Sequence, residues 1–257
     1  MNHRAKKQFG QNFLVDEQII TDIITAIRPE ANDHMVEIGP GLGALTRPLL
    51  KRLNRLQVVE IDRDLIARLQ NEYPQGESKL VIHAADALEF DFATLPKPLR
   101  IVGNLPYNIS TPLLFHFAAY AERIHDMHFM LQNEVVDRMV AEPSTPEYGR
   151  LSVMLQYRFQ IEKLLEVPPH SFRPAPKVNS AIVRLIPLVA DEIRIHNEKL
   201  YANIVSAAFG QRRKTLRNTL RVFLNETDFN FLGINSQLRA ENLSVRDFEK
   251  VANYLDK

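Results

Sequence analysis

The chain reads as an α/β protein, a doubly wound parallel sheet followed by a small all-helical domain, on three observations. Short apolar runs alternate with helix-length patterns from residue 19 to about residue 141. A glycine-rich turn joins the first of these runs to the pattern after it, where the first strand of an open α/β sheet hands over to its helix. Beyond Pro187 only helical patterns follow.

The elements follow in order. Ile19, Ile20, Ile23, Ile24 and Ile27 recur at helical spacing and predict a first helix. Strands are predicted at residues 35–38, 56–61, 79–83, 99–102 and 126–131, with helices at 44–53, 63–71, 110–120 and 134–141 between them. This alternation is what βα units on a parallel sheet require. Pro143 and Pro146 mark a loop before an apolar helix at 151–157. Residues 161–167 and 181–186 read as two more strands around a proline-rich connection and, lacking a helix between them, should pair as an antiparallel hairpin. The helices-only region comprises 200–209, a basic segment running to Leu224, and 244–255. In the last of these Ser244 is the N-cap with Asp247 three residues on, and Val245, Phe248, Val251, Ala252 and Leu255 share one face. A boundary near Pro187 divides a domain over 1–187 from one over 188–257.

With 257 residues the chain is long enough for one large and one small domain, and 45% hydrophobic with 25% charged residues indicates a globular protein. No cysteine is present, which excludes disulfides and thiolate metal sites and fits a reducing compartment. The basic first residues lack the apolar run of a signal peptide, and no stretch approaches the roughly 18 to 20 apolar residues needed to span a bilayer. A cytoplasmic location without membrane contact is expected. His125 and His128 are three apart on a predicted strand and point to opposite faces, so they do not make a metal site, and no G-x-S-x-G marks a serine nucleophile.

A net charge of +1 does not by itself suggest a polyanionic partner, so any nucleic-acid reading rests on where charge is concentrated. Arg4, Lys6 and Lys7 precede the first acidic residue, Asp16, and would form a basic arm that orders over a ligand through Gln11 and Asn12. Arg212, Arg213, Lys214, Arg217 and Arg221 fall in a stretch free of carboxylates. A charge run is usually solvated surface; the missing carboxylates and the helix-forming neighbours favour a phosphate-binding face.

Asn104-Leu105-Pro106-Tyr107 follows the strand at 99–102. An Asn side-chain oxygen and the carbonyl of the next residue can both accept hydrogen bonds from one exocyclic amine, while Tyr107 stacks on the ring that carries it. An adenine N6 is a poor nucleophile because its lone pair is conjugated; two acceptors that favour tetrahedral geometry expose that lone pair, and the proton can leave after transfer. An isolated N-x-P-Y would instead be a proline turn in which Asn104 caps the helix at 110–120.

An upstream site shifts that balance. Glu37-Ile38-Gly39-Pro40-Gly41-Leu42-Gly43 lies at the first strand-to-helix junction, where glycines let the backbone approach a ligand. It has neither the G-x-G-x-x-G spacing of a dinucleotide site nor the Lys-Ser/Thr of a P-loop, and it suits a ligand ending in an amino acid and a sulfonium. Glu60 closes the second strand, where an acidic residue accepts from ribose hydroxyls, and Asp86 after the third could accept from the adenine amine of the cofactor. A tight turn, a surface charge and a helix N-cap would explain the glycines, Glu60 and Asp86 taken singly. Gly39, Glu60, Asp86 and Asn104 all sit at carboxyl ends of strands, where ligands of open α/β sheets bind.

These residues resemble the KsgA-type ribosomal RNA adenine N6,N6-dimethyltransferases over essentially the whole chain. The marks are Phe9-Gly10-Gln11-Asn12-Phe13-Leu14, the glycine segment Glu37 to Gly43, Asn104 to Ser110, Tyr148-Gly149-Arg150-Leu151-Ser152, Phe172-Arg173-Pro174-Ala175-Pro176-Lys177-Val178 and Gln211 to Asn218. The resemblance implies a Rossmann-like class I methyltransferase sheet with a small C-terminal all-helical domain that binds RNA or the ribosome. It implies S-adenosyl-L-methionine as methyl donor, S-adenosylhomocysteine as product, and two adjacent adenines in a 3′-terminal hairpin loop of 16S rRNA as acceptors, within the small ribosomal subunit or its precursor. It further implies a checkpoint role in small-subunit biogenesis; a monomer is expected. Carried over by position, Asn12, Leu14, Gly39, Gly41, Glu60, Asp86 and Asn104 would contact the cofactor. Asn104 and the Leu105 carbonyl, in the turn made by Pro106, would hold the target amine between Tyr107 and Phe172. An aromatic in a proline-stiffened loop suits such a wall; filling core beneath the hairpin is the other reading of Phe172. The resistance-type dimethyltransferases of large-subunit rRNA share the glycine and Asn104 motifs, and a non-catalytic assembly factor on this fold is the alternative of another class.

Overall fold

The computed structural model describes residues 6, 11–74, 79–106 and 109–256. These divide into two units. One takes the chain up to Val136 together with Glu162–Pro187; the other takes Asp137–Ile161 and everything from Leu188.

In the first unit β1 (Phe13–Leu14) and α1 (Glu17–Ile27) precede the alternating series β2 (His34–Ile38), α2 (Thr46–Leu50), β3 (Leu56–Glu60), α3 (Arg63–Glu72), β4 (Leu80–Ala84), β5 (Leu99–Asn104), α4 (Ser110–Ala118) and β6 (Ile124–Gln132). Later in the chain come β7 (Phe159–Val167), which belongs to this unit from Glu162 on, β8 (Phe172–Arg173) and β9 (Ser180–Pro187). Seven strands of the described residues form one sheet in the order β4-β3-β2-β5-β6-β9-β7, and β1 pairs with β8 in a separate antiparallel ladder. Strands β2 to β6 pair in parallel and β9 runs antiparallel to β6. The two strands expected to form a hairpin, β7 and β9, lie side by side. The chain winds outward from β2 through β3 to β4, then returns to β5 on the other side, so the crevice between β2 and β5 is the switch point where such sheets bind ligands.

All of β3 is buried, as a central parallel strand covered on both faces requires. Helix α1 starts where Asp16 accepts from the Gln18 and Ile19 N–H groups, buries Ile20, Ile23, Ile24 and Ile27, and ends at Arg28 in the left-handed region. Each of those isoleucines contributes roughly 1.5 to 3 kcal/mol by leaving water. Arg100 on β5 donates to the carbonyls of Ile27 and Arg28 and pairs with Asp33 at 2.6 Å and Asp126 at 2.7 Å. The pattern read as a helix over 44–53 is helical only at Thr46–Leu50: Gly43 has φ +82°, and the N–H groups of Arg52 and Leu53 both turn onto the Leu49 carbonyl. His125 is exposed and His128 buried, as opposite faces of β6 require.

The second unit contains the C-terminal half of α5 (Asn133–Val140), with α6 (Arg150–Gln156), α7 (Glu198–Phe209), α8 (Leu216–Thr219), α9 (Glu226–Leu232) and α10 (Val245–Leu255). One of its edges coincides with the boundary expected at Pro187, but it also includes residues 137–161. Distant links tie these residues to the C-terminal helices: the Tyr157 and Tyr201 rings pack with centroids 4.9 Å apart, Tyr148 Oη donates to the Leu243 carbonyl at 3.0 Å, the Ser144 N–H to the Glu241 carbonyl at 2.7 Å, and Arg158 pairs with Glu198 at 2.6 Å. Helix α10 opens with the expected capping box between Ser244 and Asp247. The basic segment is not one helix. Arg212, Arg213 and Lys214 lie in turns before α8, with Arg212 donating to the Pro146 carbonyl at 3.3 Å, and Arg217 sits 3.8 Å from Glu226.

Candidate active site

The site grows from the β2–β5 pairing. Ile38 and Gly103 are partners in that ladder, which puts Asn104 beside the glycine turn that begins at Gly39. The approach needs glycine at 103: a Cβ there would stand 2.6 Å from the Ile38 carbonyl oxygen. Gly39 and Gly41 have φ of +63° and +58°, and a Cβ on Gly41 would press on the Phe13 ring at 3.2 Å.

A cavity of about 290 Å³ opens at these strand ends, lined by every described residue expected to contact a cofactor: Asn12, Leu14, Gly39, Gly41, Glu60, Asp86 and Asn104. Leu105 and Pro106 line it too. Among the described lining residues there are three carboxylates, Glu37, Glu60 and Asp86, and no lysine or arginine. Such a wall repels the pyrophosphate of a dinucleotide and fits a ligand with a sulfonium and an ammonium. The donor set therefore suits S-adenosylmethionine.

Glu60 is 6% exposed, not a surface charge, and its Oε1 accepts from the N–H groups of Ile61 and Asp62 at 2.9 and 2.8 Å. Burial raises its pKa, and backbone hydrogen bonds oppose the rise. Asp86 closes a turn by accepting from the Leu88 N–H at 2.9 Å. Glu37, for which the sequence suggested no separate role, is buried in the cavity wall with its Oε2 accepting from Thr46 Oγ1 at 2.7 Å; burial pushes its pKa up to about 7. Its position at the end of an apolar strand was the available clue.

Asn104 does not cap α4, whose N-cap is Ile109 without a side-chain bond. Its Nδ2 donates instead to the Asn12 carbonyl at 2.8 Å. A carbonyl can only accept, so the amide nitrogen faces Asn12 and the oxygen is on the opposite edge. The Leu105 N–H donates to the Met130 carbonyl at 3.2 Å, which fixes the peptide that follows Asn104.

One expectation is corrected. Phe172 is not a wall of the cavity: it is 0% exposed and packs in the core cluster with Leu14, Val167 and Ile182. Alternation along β8 turns Phe172 inward and Arg173 outward, and the pairing of Phe172 with Leu14 seals the ring beneath the hairpin. Lys6, expected in an arm that orders through Gln11 and Asn12, donates its N–H to Gln11 Oε1 at 2.8 Å and pairs through Nζ with Asp62 at 2.6 Å and Asp64 at 2.7 Å. Tyr107, Phe9, Gly10, Arg4 and Lys7 lie outside the described residues.

The description of ribosomal RNA adenine dimethylases matches residues 2–257 of this chain. A ribosomal RNA small subunit methyltransferase A from Aromatoleum aromaticum is 62% identical over 253 residues, which are 98% of this chain and 95% of that protein. A dimethyladenosine transferase from Plasmodium falciparum superposes with a TM-score of 0.79 at 27% identity, over 95% of this chain and 97% of that one. The 23S rRNA methyltransferase ErmE does so with a TM-score of 0.73 at 25% identity, over 96% of this chain and all of the other. A match along its whole length, on a sheet whose glycine turn and Asn104 meet at one crevice, means that this chain belongs to the ribosomal RNA adenine dimethylase family.

Proposed function

We propose that the chain dimethylates N6 of two adjacent adenines in a hairpin loop near the 3′ end of 16S rRNA, acting as a monomer on the small subunit or its precursor in the cytoplasm, and that it serves small-subunit biogenesis. The observation that carries the chemistry is the Asn104 amide, held with its oxygen away from Asn12 in the wall of the carboxylate-lined crevice. S-adenosylmethionine supplies, when bound, an electrophilic sulfonium methyl. Asn104 Oδ1 and the Leu105 carbonyl accept from the target amine and favour the tetrahedral nitrogen of the transition state over the planar ground state. With the donor bound, its methyl would pass from sulfur to the N6 lone pair that Asn104 and Leu105 expose, and the amine proton would be lost to solvent without a general base from the chain. Glu60 and Asp86 hold the ribose and adenine of the donor, with Asn12, Leu14, Gly39 and Gly41 around them, and Tyr107 stacks on the target base.

The exposed Arg212, Arg213, Lys214, Arg217 and Arg221 of the second unit provide phosphate contacts. No described helix is long and apolar enough to cross a membrane. Labelled donor incubated separately with unmodified small and large subunits tests the assignment. Dimethyladenine at two adjacent positions near the 3′ end of small-subunit rRNA is expected; label on the large subunit would overturn it in favour of the resistance-type reaction. Asn104→Ala should slow transfer by roughly 10²- to 10³-fold, as loss of one preorganised hydrogen bond to a transition state does, while RNA binding is kept. Retained RNA binding without any transfer by the parent enzyme would favour an assembly factor.

A further inference from the structure

Residues 11–14 line the crevice and are fastened on both sides. On one side the Asp62 carboxylate, 1% exposed, accepts from Lys6 Nζ at 2.6 Å and from Gln11 Nε2 at 3.0 Å. The Lys6 N–H also donates to Gln11 Oε1 at 2.8 Å. On the other side Phe13 and Leu14 pair with Arg173 and Phe172, the Val15 N–H donates to the Ser171 carbonyl at 2.9 Å, and Ser171 Oγ to Asp16 at 2.9 Å. Between these anchors lies the Asn12 carbonyl that receives the Asn104 amide.

We propose that Asp62, with Lys6 and Gln11, is a positioning residue for methyl transfer: it fixes the Asn12 carbonyl, which in turn fixes the orientation of the Asn104 amide. An asparagine amide is nearly symmetric in shape, and its two flips differ only in what they donate and accept. With nitrogen on Asn12, the oxygen faces outward to accept from an amine. In the other flip two oxygens would confront each other at Asn12, and an NH2 group would meet the amine. The segment thus selects the productive flip before substrate arrives. Asp62 has two further ties that bear on the donor site. Its own N–H donates to Glu60 Oε1 at 2.8 Å and its Oδ1 accepts from the Asp64 N–H at 3.0 Å, so one turn holds both the ribose-binding carboxylate and the anchor of residues 11–14. Burial by itself would raise the Asp62 pKa; the hydrogen bonds from Lys6, Gln11 and the Asp64 N–H outweigh it and keep the anchor ionised.

This inference rests on the reading of Asn104 as the amine acceptor, and its test separates the two. Asp62→Asn retains an oxygen for the Asp64 N–H but turns the Oδ2 that receives Gln11 into an NH2. Lys6→Met removes the cationic half and leaves Asp62 in place. Transfer is measured in single turnovers at saturating donor and RNA, with RNA affinity and unfolding midpoint measured alongside. Each variant is expected to slow transfer roughly 10- to 100-fold, the cost of a misplaced catalytic group. RNA affinity should be unchanged, and Lys6→Arg should recover most of the rate. In the Asn104→Ala background the same substitutions should add no further slowing, because residues acting through one group are not additive. Full-rate transfer by Asp62→Asn and Lys6→Met, or slowing that multiplies with that of Asn104→Ala, overturns the positioning role and leaves Asn104 its own. Full-rate transfer by Asn104→Ala alone overturns the acceptor reading and the inference with it.

Discussion

Replacing Glu37 by glutamine removes a lining carboxylate whose pKa burial brings up to about 7. Glu37 is 2% exposed; burial raises its pKa from an ordinary 4.5 to about 7, Thr46 opposes the rise and Glu60 adds to it. The folded chain therefore keeps a proton that the unfolded chain releases between those values. Its contribution to stability is fully present below about pH 4.5 and is lost as pH rises through about 7. At about 1.4 kcal/mol per pH unit, this gap amounts to roughly 3 kcal/mol. His128 works in the opposite sense. Burial lowers its pKa from 6.5 to about 4, so stability is lost as pH falls between those values. In the parent the two slopes oppose each other between about pH 4.5 and 6.5.

Urea unfolding followed by circular dichroism, from pH 4.5 to 8, isolates Glu37 as the difference between Glu37→Gln and parent. The difference should be near zero at the acid end and grow to roughly 3 kcal/mol in favour of the variant above pH 7, with the variant alone showing the His128 slope. Parallel profiles would refute the argument. A cationic donor in this crevice would favour the ionised form of Glu37, so donor binding near pH 7 should release a proton from the parent and not from the variant. Calorimetry in two buffers of different ionisation enthalpy reads that release.

Arg100→Leu strands Asp126, only 10% exposed at its side chain, and should cost about 3 to 5 kcal/mol; much of this should return in the double variant with Asp126→Leu, and a single-variant cost below about 1 kcal/mol would contradict it. Gly103→Ala should force β5 off the Ile38 carbonyl, costing about 1 to 3 kcal/mol and weakening donor binding; unchanged affinity by calorimetry would mean the crevice tolerates the Cβ. Neutralising Arg212, Arg213 and Lys214 together should reduce the slope of log K for rRNA against log salt by roughly 2 to 3 while donor affinity stays constant, and an unchanged slope would remove those residues from the interface.

Much of the site was legible because it obeys local rules. Apolar runs of strand length separated by helix-period patterns imply parallel βα units, and in such a sheet the residues after successive strands share one edge. That logic places Gly39, Glu60, Asp86 and Asn104 together without any knowledge of contacts, and all four line the cavity. The Ser244 and Asp247 capping box was readable for the same reason, since it depends on a spacing of three.

What the sequence by itself determined was the order of elements, the strand-end edge and the chemistry gathered on it. Only the tertiary structure decided that Phe172 is sealed under Leu14, that residues 137–161 join the C-terminal helices, and that Lys6 and Gln11 reach across more than fifty positions to Asp62. It alone chose the flip of the Asn104 amide. Periodicity reports which face of an element avoids water, but a hydrogen bond between distant segments leaves no periodic trace. Both partners are ordinary polar residues until the fold brings them within 3 Å.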